Sequence, residues 1–378
     1  MGDLGGCRVA IVDTNYAMLP SIKGLKNRGA HVTILGNFCS KEVAINADET
    51  ITVDYSDHRA LSLVLDKNRF DAVVPGCTDV SYLSCANLGV EGCESVEVTG
   101  RLHNKRLFCE SAREAGVKTP REYSSIREAF TAETDILVKP DDSFSGRGIG
   151  IFKSGGELQQ LRSQIDYARN FSSSSEVLLQ EYMRGDLYSF SAFWNGYELV
   201  DQYLVRELCV ANPFVVDRSF AVEDDLLYQL AGSDALSICR SLTLQSGLVH
   251  FQMILQEGEW YFLECMRRLP GDLYSHLIDV AFQTDYSGGY LRPFLREEVS
   301  SLSSSQSAPD TSLSRITVAG SRKATNFKER LSAMGVAYLC FSNGLIGQCM
   351  RKTFFLANLS SEISKALGLG DRLNECID

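Results

Sequence analysis

Apolar positions in the first hundred residues alternate between strand-like and helix-like spacing. Arg8-Val-Ala-Ile-Val12 and His31-Val-Thr-Ile-Leu35 are short aliphatic runs typical of buried strands. Between them, residues 16–28 carry apolar side chains at helical spacing, and Gly29 follows as a stop signal. Strands that alternate with helices in this way predict a small parallel sheet with helices on both faces, a doubly wound α/β domain.

A third strand-like run, Asp71-Ala-Val-Val74, ends at Pro75-Gly-Cys-Thr-Asp79. In open α/β sheets, ligands bind beyond the carboxyl ends of the strands, which makes Thr78 and Asp79 candidates for contact with a substrate. The alternative is structural, a turn whose aspartate caps the next helix.

The segment from Ile136 to Ile151 joins an aliphatic strand to a glycine-rich loop. Lys139 is predicted at the end of the strand, and Pro140 is expected to stop further ladder pairing. The glycines at 146, 148 and 150 allow backbone N–H groups to approach an anion, because no Cβ intervenes. The segment is suited to polyphosphate, and an ordinary hairpin is the alternative. It is neither a P-loop nor a dinucleotide fingerprint.

Two later segments also predict strands that end in turns with polar residues. Val177-Leu-Leu-Gln-Glu-Tyr-Met183 predicts a strand that runs into a turn at Arg184-Gly-Asp186. Residues 247–254 and 260–264 predict a hairpin that ends in Cys265-Met-Arg-Arg-Leu-Pro-Gly271. Three such segments in this order resemble the ATP-grasp superfamily, which includes biotin carboxylase, D-alanine–D-alanine ligase and many amino-acid ligases. The resemblance spans roughly residues 1 to 300.

The resemblance implies an α/β architecture, the ATP-grasp fold. It would consist of an N-terminal doubly wound parallel domain over residues 1–98 and an ATP-grasp domain over residues 99–378, with a small lid subdomain at about 120–185 and a C-terminal α+β subdomain at about 315–378. Within that last part, the sequence pattern predicts strands near residues 315–318 and 337–341, turns at Asn343-Gly and Ile346-Gly, and a helix near residues 360–367. The implied activity is that of an ADP-forming ligase, with ATP and Mg²⁺ as cofactors. Such an enzyme phosphorylates a carboxylate, and an amine or, less often, a thiol attacks the acyl phosphate. The sequence does not identify these small-molecule substrates.

The resemblance also implies roles for individual residues. Lys139 and the glycine loop would hold the α- and β-phosphates, and Arg268 would face the reacting phosphate or acyl group, so these two side chains are the predicted catalytic residues. Lys105, near the start of a predicted helix, would reach a phosphate, with Arg106 as the alternative. The other implied nucleotide contacts are Ser143, Ser145, Gly146, Arg147, Gly148, Gln180, Glu181, Met183 and Asp186.

The implied magnesium ligands depart from the family pattern. The first acid is replaced by Gln252, Glu264 keeps the second, and Met266 stands where an asparagine is usual. A glutamine carbonyl oxygen can bind a hard cation, whereas a thioether is a poor ligand for magnesium. Asp272 is the nearest spare carboxylate, and the alternative for it is a turn aspartate that bonds to its own backbone.

The ribose and substrate contacts are less defined. Leu187 occupies the position at which many members carry an acid for the ribose. Asp186, one residue earlier, is expected to hold the ribose hydroxyls instead, and the alternative is a ribose that no carboxylate recognises. Substrates would be recognised by loops of the N-terminal domain and by side chains near Arg206, Arg218 and His250.

Composition excludes several classes of protein. The chain has 378 residues, 44% of them hydrophobic, and no apolar run of membrane-spanning length, and its N-terminus lacks the pattern of a signal peptide. A formal net charge of −11 argues against nucleic acid as a partner. Twelve cysteines without a C-x-x-C pair predict reduced thiols in a cytoplasmic protein, and five dispersed histidines argue against a zinc site. A homodimer is compatible with these features.

Two functions from different classes follow. One is an ATP-dependent carboxylate–amine ligase. The other is a catalytically silent ATP-binding domain that acts as a sensor or scaffold, a hypothesis that the altered metal set keeps open. A dehydrogenase is disfavoured because the first βα turn, Asp13-Thr-Asn-Tyr16, contains no glycine.

Overall fold

The computed structural model describes residues 2–39, 41–142, 146–210, 212–302, 314–319, 329, 338–346 and 349–356. The N-terminal part is a four-stranded parallel sheet in the order β3-β2-β1-β4. Its elements are β1 (Arg8–Val12), a 3₁₀ turn (Tyr16–Met18), α1 (Leu19–Asn27), β2 (His31–Leu35), α2 (Lys41–Ala44), β3 (Glu49–Ile51), α3 (His58–Asn68), β4 (Ala72–Pro75) and α4 (Asp79–Asn87).

Helices cover both faces of this parallel sheet. Ile11 of β1 lies in the same apolar cluster as Ile22 of α1. Val12, whose side chain points to the opposite face, clusters with Leu61 of α3. The predicted doubly wound arrangement is therefore confirmed.

The next part of the chain forms four helices and a small three-stranded sheet, here called the lid sheet, in the order β6-β5-β7. A core of apolar side chains that includes Ile136, Val138, Phe152 and Leu179 fills one face of the lid sheet against α7 and α8. The elements are α5 (Val96–His103), α6 (Lys105–Glu114), α7 (Ile126–Phe130), β5 (Ile136–Pro140), β6 (Gly150–Phe152), α8 (Leu158–Arg169) and β7 (Val177–Glu181).

The expectation that Pro140 stops the ladder is wrong. Lys139 and Pro140 pair with Leu178 and Val177 of β7, and the Asp141 N–H continues the ladder to the carbonyl of Glu176 at 3.3 Å. The other neighbour, β6, pairs with β5 only as far as Val138. A proline can occupy this position because one side of the strand has no partner there.

The largest element is an eight-stranded antiparallel sheet in the order β12-β11-β8-β9-β10-β13-β15-β14. Its strands and associated helices are β8 (Asp186–Trp194), β9 (Leu199–Leu208), β10 (Arg218–Ala221), α9 (Asp225–Ser241), β11 (Gly247–Gln256), β12 (Glu259–Met266), α10 (Tyr274–Ala281), α11 (Tyr286–Leu291), a 3₁₀ turn (Arg292–Leu295), β13 (Ser314–Ala319), β14 (Tyr338–Ile346) and β15 (Cys349–Leu356).

The two faces of this sheet pack differently. Phe251 and Phe262 lie on one face with Phe108 of α6 and Ala235 of α9, and this face is here called the helix α6 face. The opposite face carries Leu248 against α10 and α11 and, further along the strands, the polar residues described below, and it is here called the site face.

The strands predicted for the C-terminal subdomain extend the eight-stranded sheet, since β13 pairs with β10 and β15 pairs with both β13 and β14. A turn expected at Asn343-Gly is instead an irregularity inside β14, between Ser342 and Leu345. The helix expected near residues 360–367 lies outside the described residues. No helix in the described ranges combines the length and apolarity needed to cross a membrane.

Candidate nucleotide and metal site

The pleat of the lid sheet separates two sets of side chains. Val138 and Leu179 point into the apolar core of the lid. Lys139 and Gln180, each one residue further along its strand, therefore point to the opposite face. The sequence thus places a cation and an amide on the free face of a small sheet.

Lys139 is only 6% exposed, yet its side-chain ammonium forms no ion pair or hydrogen bond with any residue in the described part of the chain. Burial lowers the pKa of Lys139 to about 8, and Lys105 also acts to lower it. Cys109, Glu264 and Asp141 act in the opposite direction, although neither carboxylate forms an ion pair with the ammonium. A buried cation without a close counter-charge is a site for an anion.

Lys105 is the first residue of α6, and Asn104 caps that helix by accepting a hydrogen bond from the Leu107 N–H over 2.9 Å. Asn104 Nδ2 donates to Asp141 Oδ2 over 2.9 Å, and the Lys105 N–H donates to the Asp141 carbonyl over 3.4 Å. The start of α6 is thereby fixed beside the end of β5. Arg106, the alternative to Lys105, instead pairs with Glu122.

The glycine loop is packed closely against its neighbours. Gly146 and Gly148 adopt φ values of 69° and 75°, which favour glycine. A Cβ at Gly148 would lie 2.7 Å from Pro140 Cγ and 2.8 Å from Phe171 Cβ. Arg147 between them is exposed. The two predicted phosphate contacts Ser143 and Ser145 lie outside the described residues.

The residues predicted at the adenine edge lie at the end of β7 and in the turn that follows it. Gln180 is buried, and its Nε2 donates to Cys109 Sγ over 3.5 Å. Met183 is buried in the turn after β7, and its N–H forms no hydrogen bond within the described residues. Glu181 pairs with Ile136 and shares the core side of the lid sheet, and its contact with adenine stays a prediction.

Asp186, the expected ribose contact, forms an ion pair in the structure, and its contact with ribose stays a prediction. Asp186 lies on β8, and its carboxylate accepts a hydrogen bond from Arg206 Nη2 over 2.7 Å. Its neighbour two residues on, Tyr188, belongs to the core on the helix α6 face. Leu187 is the residue that points to the site face, and it offers no polar group.

Gln252 and Glu264 are direct partners across β11 and β12 on the site face. The pairing is irregular between Gln252 and Met253, and such bulges redirect side chains near sites. Gln252 Nε2 donates to Glu207 Oε2 over 3.2 Å. Among the described residues, no three His, Cys, Asp or Glu side chains converge to form a complete metal cage.

Magnesium is nevertheless compatible with this donor set. The ion is commonly bound by one or two protein oxygens together with nucleotide phosphates, without an all-protein cage. Glu264 is partly exposed on the side of the lid sheet, and the Gln252 carbonyl oxygen is its direct cross-strand neighbour. Asp272 is engaged elsewhere, because it accepts from the Tyr274 N–H at 3.2 Å and pairs with Arg315 Nη1 at 2.8 Å.

Two charged residues of the site face escaped the sequence motifs. Leu187, Glu207, Ser219 and Arg315 are successive partners across β8, β9, β10 and β13. Arg315 is fully buried and donates to Ser219 Oγ over 2.5 Å. Burial raises the pKa of Glu207 to about 7, although Arg315 acts to lower it. The sequence signal for Glu207 was its spacing along β9, since it follows the buried residues Tyr203 and Val205 at intervals of two.

Arg268 is held by the N-terminal domain. Its guanidinium donates four hydrogen bonds, two of them to Asp79 and the others to the carbonyls of Cys77 and Leu269. Burial acts to raise the pKa of Asp79, but Arg268 outweighs it and keeps that pKa well below its ordinary value. The helix α4 is capped by Thr78, not by Asp79 as the structural alternative had it. The contact of Arg268 with a reacting group stays a prediction.

The three residues named for substrate recognition do not lie together. His250 is buried on the site face, where Nδ1 is 2.7 Å from Ser191 Oγ, and burial lowers its pKa to about 3. Arg206 points to the helix α6 face, as does Arg218, which directly precedes the site-face residue Ser219.

Comparison with known proteins supports this architecture. No family model matches the chain. It is 25% identical over 177 residues to the formate-dependent phosphoribosylglycinamide formyltransferase of Synechococcus sp. (strain CC9311), a match that covers 42% of the chain and 43% of that enzyme. The aligned part thus spans less than half the length of this curated relative.

Solved structures match over nearly the whole chain. N5-carboxyaminoimidazole synthetase from Staphylococcus aureus, solved with ADP, gives a TM-score of 0.76 at 14% identity and covers 98% of both chains. L-amino acid ligase from Bacillus licheniformis gives 0.73 at 13% identity and covers 97% of this chain and 98% of the ligase. The chain has the ATP-grasp fold that its motifs predict.

Proposed function

We propose that this protein is an ATP-dependent, ADP-forming carboxylate–amine ligase, in which a thiol is the less frequent alternative to the amine. The observation that carries the proposal is Lys139, a buried ammonium without an ion-pair partner among the described residues. Keeping such a group unpaired destabilises the fold, so a phosphate ligand accounts for its presence. The relatives named above are a formyltransferase, a synthetase solved with ADP and an amino-acid ligase.

The reaction would proceed in two transfers. The bond between the γ-phosphorus and the ADP oxygen breaks as a carboxylate oxygen of the substrate bonds to that phosphorus, which gives an acyl phosphate and ADP. The amine nitrogen then attacks the acyl carbon, phosphate leaves, and the amine proton passes to a base or to solvent. Phosphoryl transfer of this kind depends mainly on positioning and on positive charge.

Residues of this chain supply those two requirements. Lys139 and Lys105 would hold the phosphates from β5 and α6, whose relative position Asp141 fixes. Gln180 and the free N–H of Met183 would bind the adenine edge. Magnesium, when bound, neutralises phosphate charge, and Glu264 with the Gln252 carbonyl oxygen would hold it.

An assay of ADP release with a panel of carboxylates, amino acids and amines tests the proposal. ADP production that requires both a carboxylate and an amine would support it. Nucleotide binding by calorimetry without turnover on any pair would instead favour the silent ATP-binding domain, a sensor or scaffold. The observation that favours this second candidate is the replacement of two expected magnesium ligands by Gln252 and Met266.

The setting of the enzyme belongs to the same proposal. Nine cysteines between Cys7 and Cys265 are free thiols, which fits a cytoplasmic location. We also propose the domain limits given above, at residues 98 and 99, and a homodimer as the assembly. Light scattering of the purified chain tests the assembly, and limited proteolysis tests the domain limits.

A further inference from the structure

The hydrogen bond between Gln252 and Glu207 determines which end of the Gln252 amide faces Glu264. Gln252 lies on β11 and Glu207 on β9, with β8 between them. Ser189, the partner of Gln252 on β8, is small enough for the two long side chains to meet above it, and Gln252 Nε2 donates to Glu207 Oε2 over 3.2 Å. The bond is buried at its Glu207 end.

The two ends of an amide have opposite chemistry. The NH₂ group only donates hydrogen bonds, and the oxygen only accepts them or binds cations. In the structure Glu207 Oε2 accepts from the NH₂ end of the Gln252 amide, so Glu207 fixes which end of the amide points toward it. The Gln252 oxygen then points away from Glu207, toward β12. The direct partner of Gln252 on β12 is Glu264.

Without Glu207 the preference would reverse. Glu264 is itself an acceptor, so an unrestrained Gln252 amide would turn its NH₂ group toward Glu264 and form a hydrogen-bonded pair. That pair would occupy the carboxylate and present donors where a cation needs oxygen. Glu207 therefore competes with Glu264 for the same NH₂ group.

We propose that Glu207 is a positioning residue for the divalent cation of the nucleotide complex, because it holds the Gln252 carbonyl oxygen toward Glu264. The inference deepens the proposed ligase function and rests on it. It also explains how an amide at position 252 could serve as a ligand, since the Glu207 carboxyl group across the sheet holds its NH₂ end. Groups that orient metal ligands typically contribute a factor of about 10 to 100 in metal affinity.

The test uses Mn²⁺ as the probe and ADP as the nucleotide, with Mn²⁺ binding followed by electron paramagnetic resonance. Glu207→Gln should weaken Mn²⁺ binding in the presence of ADP by about tenfold or more. Its affinity for ADP without metal should match that of the wild type. Asp279→Asn, which changes another buried acid that bonds to Ser287, is the matched control and should leave Mn²⁺ affinity unchanged.

An exchange of the two residues distinguishes orientation from general damage. In the double variant Glu207→Gln, Gln252→Glu, the acid and the amide trade places and the hydrogen bond can persist, so Mn²⁺ affinity should return at least to the wild-type level. Gln252→Glu alone brings two carboxylates together, because Glu207 is still present. Its Mn²⁺ affinity should therefore be lower than that of the double variant. Thermal unfolding of each variant confirms that the fold is intact.

The outcomes separate the two levels of the argument. If the wild type binds Mn²⁺ with ADP and Glu207→Gln binds it equally well, Glu207 has no positioning role while the proposed function stands. A double variant that stays as weak as Glu207→Gln overturns the orientation argument in the same way. If the wild type binds no ADP at all, the proposed function fails and this inference fails with it.

Discussion

Arg268, just after β12, and Asp79, at the start of α4, form a bidentate ion pair that links the eight-stranded sheet to the parallel sheet. Nε donates to Oδ1 over 2.8 Å and Nη2 donates to Oδ2 over 2.6 Å, and both side chains are nearly buried. His103 Nε2 lies 3.5 Å from the same carboxylate. The parallel domain and the strand that carries Glu264 are thus held together by the arginine that the sequence assigns to catalysis.

We expect Asp79→Asn to destabilise the protein, because it leaves the buried guanidinium of Arg268 without its counter-charge. Removal of one partner from a buried pair typically costs about 3–5 kcal/mol. Urea unfolding measures the effect. The control is Glu91→Gln, which breaks an exposed pair with Arg296 and should change stability by less than about 1 kcal/mol. Equal losses for both variants would contradict the role of Arg268 as a link between domains.

Much of the site was predictable because its strongest signals are local. The aliphatic run before Lys139, the helix after Asn104 and the hairpin with Gln252 and Glu264 each depend on neighbouring residues, and the structure forms all three. Their meeting in space followed from the family resemblance. No spacing rule connects Lys139 with Glu264.

The sequence did not reveal which face of a strand each candidate side chain occupies. Glu181 and Asp186 lie within or beside predicted strands, but a shift of one residue along a strand sends a side chain to the other face. Their faces became clear only from the pairing with Ile136 and Arg206. Glu207 was missed because its partners arrive from other strands of the sheet, and sequence order does not reveal strand order.

Lys139→Met should stabilise the protein while it removes nucleotide binding. The pKa of Lys139 is lowered by burial to about 8 from an ordinary 10.5, so the charged lysine disfavours the folded state at every pH below 8. That cost is on the order of 3 kcal/mol at pH 7, and it disappears as the pH rises from 8 to 10.5. The variant should therefore unfold at a higher temperature than the wild type at pH 7, and the difference should vanish above pH 10.5.

Calorimetry with a non-hydrolysable ATP analogue completes this test. Loss of the lysine contact should weaken binding by about 2–5 kcal/mol. Lys153→Met, at an exposed lysine that pairs with Asp135, is the control and should affect neither quantity strongly. Unchanged nucleotide affinity in Lys139→Met would remove this lysine from the site.

His250 should make the protein sensitive to acid. Burial lowers its pKa to about 3 from an ordinary 6.5, so the unfolded chain binds a proton that the folded protein does not. Stability should fall as the pH decreases from 6.5 toward 3. His250→Asn, which cannot bind that proton, should show a smaller decrease between pH 7 and pH 5 in urea unfolding. His58→Asn, at an exposed position in α3, should behave like the wild type. Parallel pH profiles for all three proteins would contradict the assignment.

Glu264→Gln should abolish turnover and leave the fold intact. Glu264 is the remaining carboxylate of the predicted metal set that has no ion-pair partner in the described part of the chain. Its loss removes the charge that a hard cation needs, whereas the hairpin pairing with Gln252 is retained. ADP production against magnesium concentration measures the effect, and Glu259→Gln at the exposed end of β12 is the control. A rate and magnesium dependence like those of the wild type would refute this role for Glu264.

Gly148→Ala should disturb the glycine loop more than the same change at Gly155. The two glycines have nearly equal φ values, 75° and 76°, so an alanine costs about 1–2 kcal/mol of backbone strain at either position. They differ in the space around them. A Cβ at Gly148 would lie 2.7 Å from Pro140 Cγ, whereas a Cβ at Gly155 would meet no atom within 4 Å. The alanine at 148 must therefore move the loop away from Pro140, which directly follows Lys139, and ADP affinity should decrease in that variant alone.

Amide hydrogen exchange with and without ADP provides a second measurement, because the loop should lose its protection by nucleotide only in Gly148→Ala. If both variants bind ADP equally well, the close packing of the loop on Pro140 has no part in nucleotide binding.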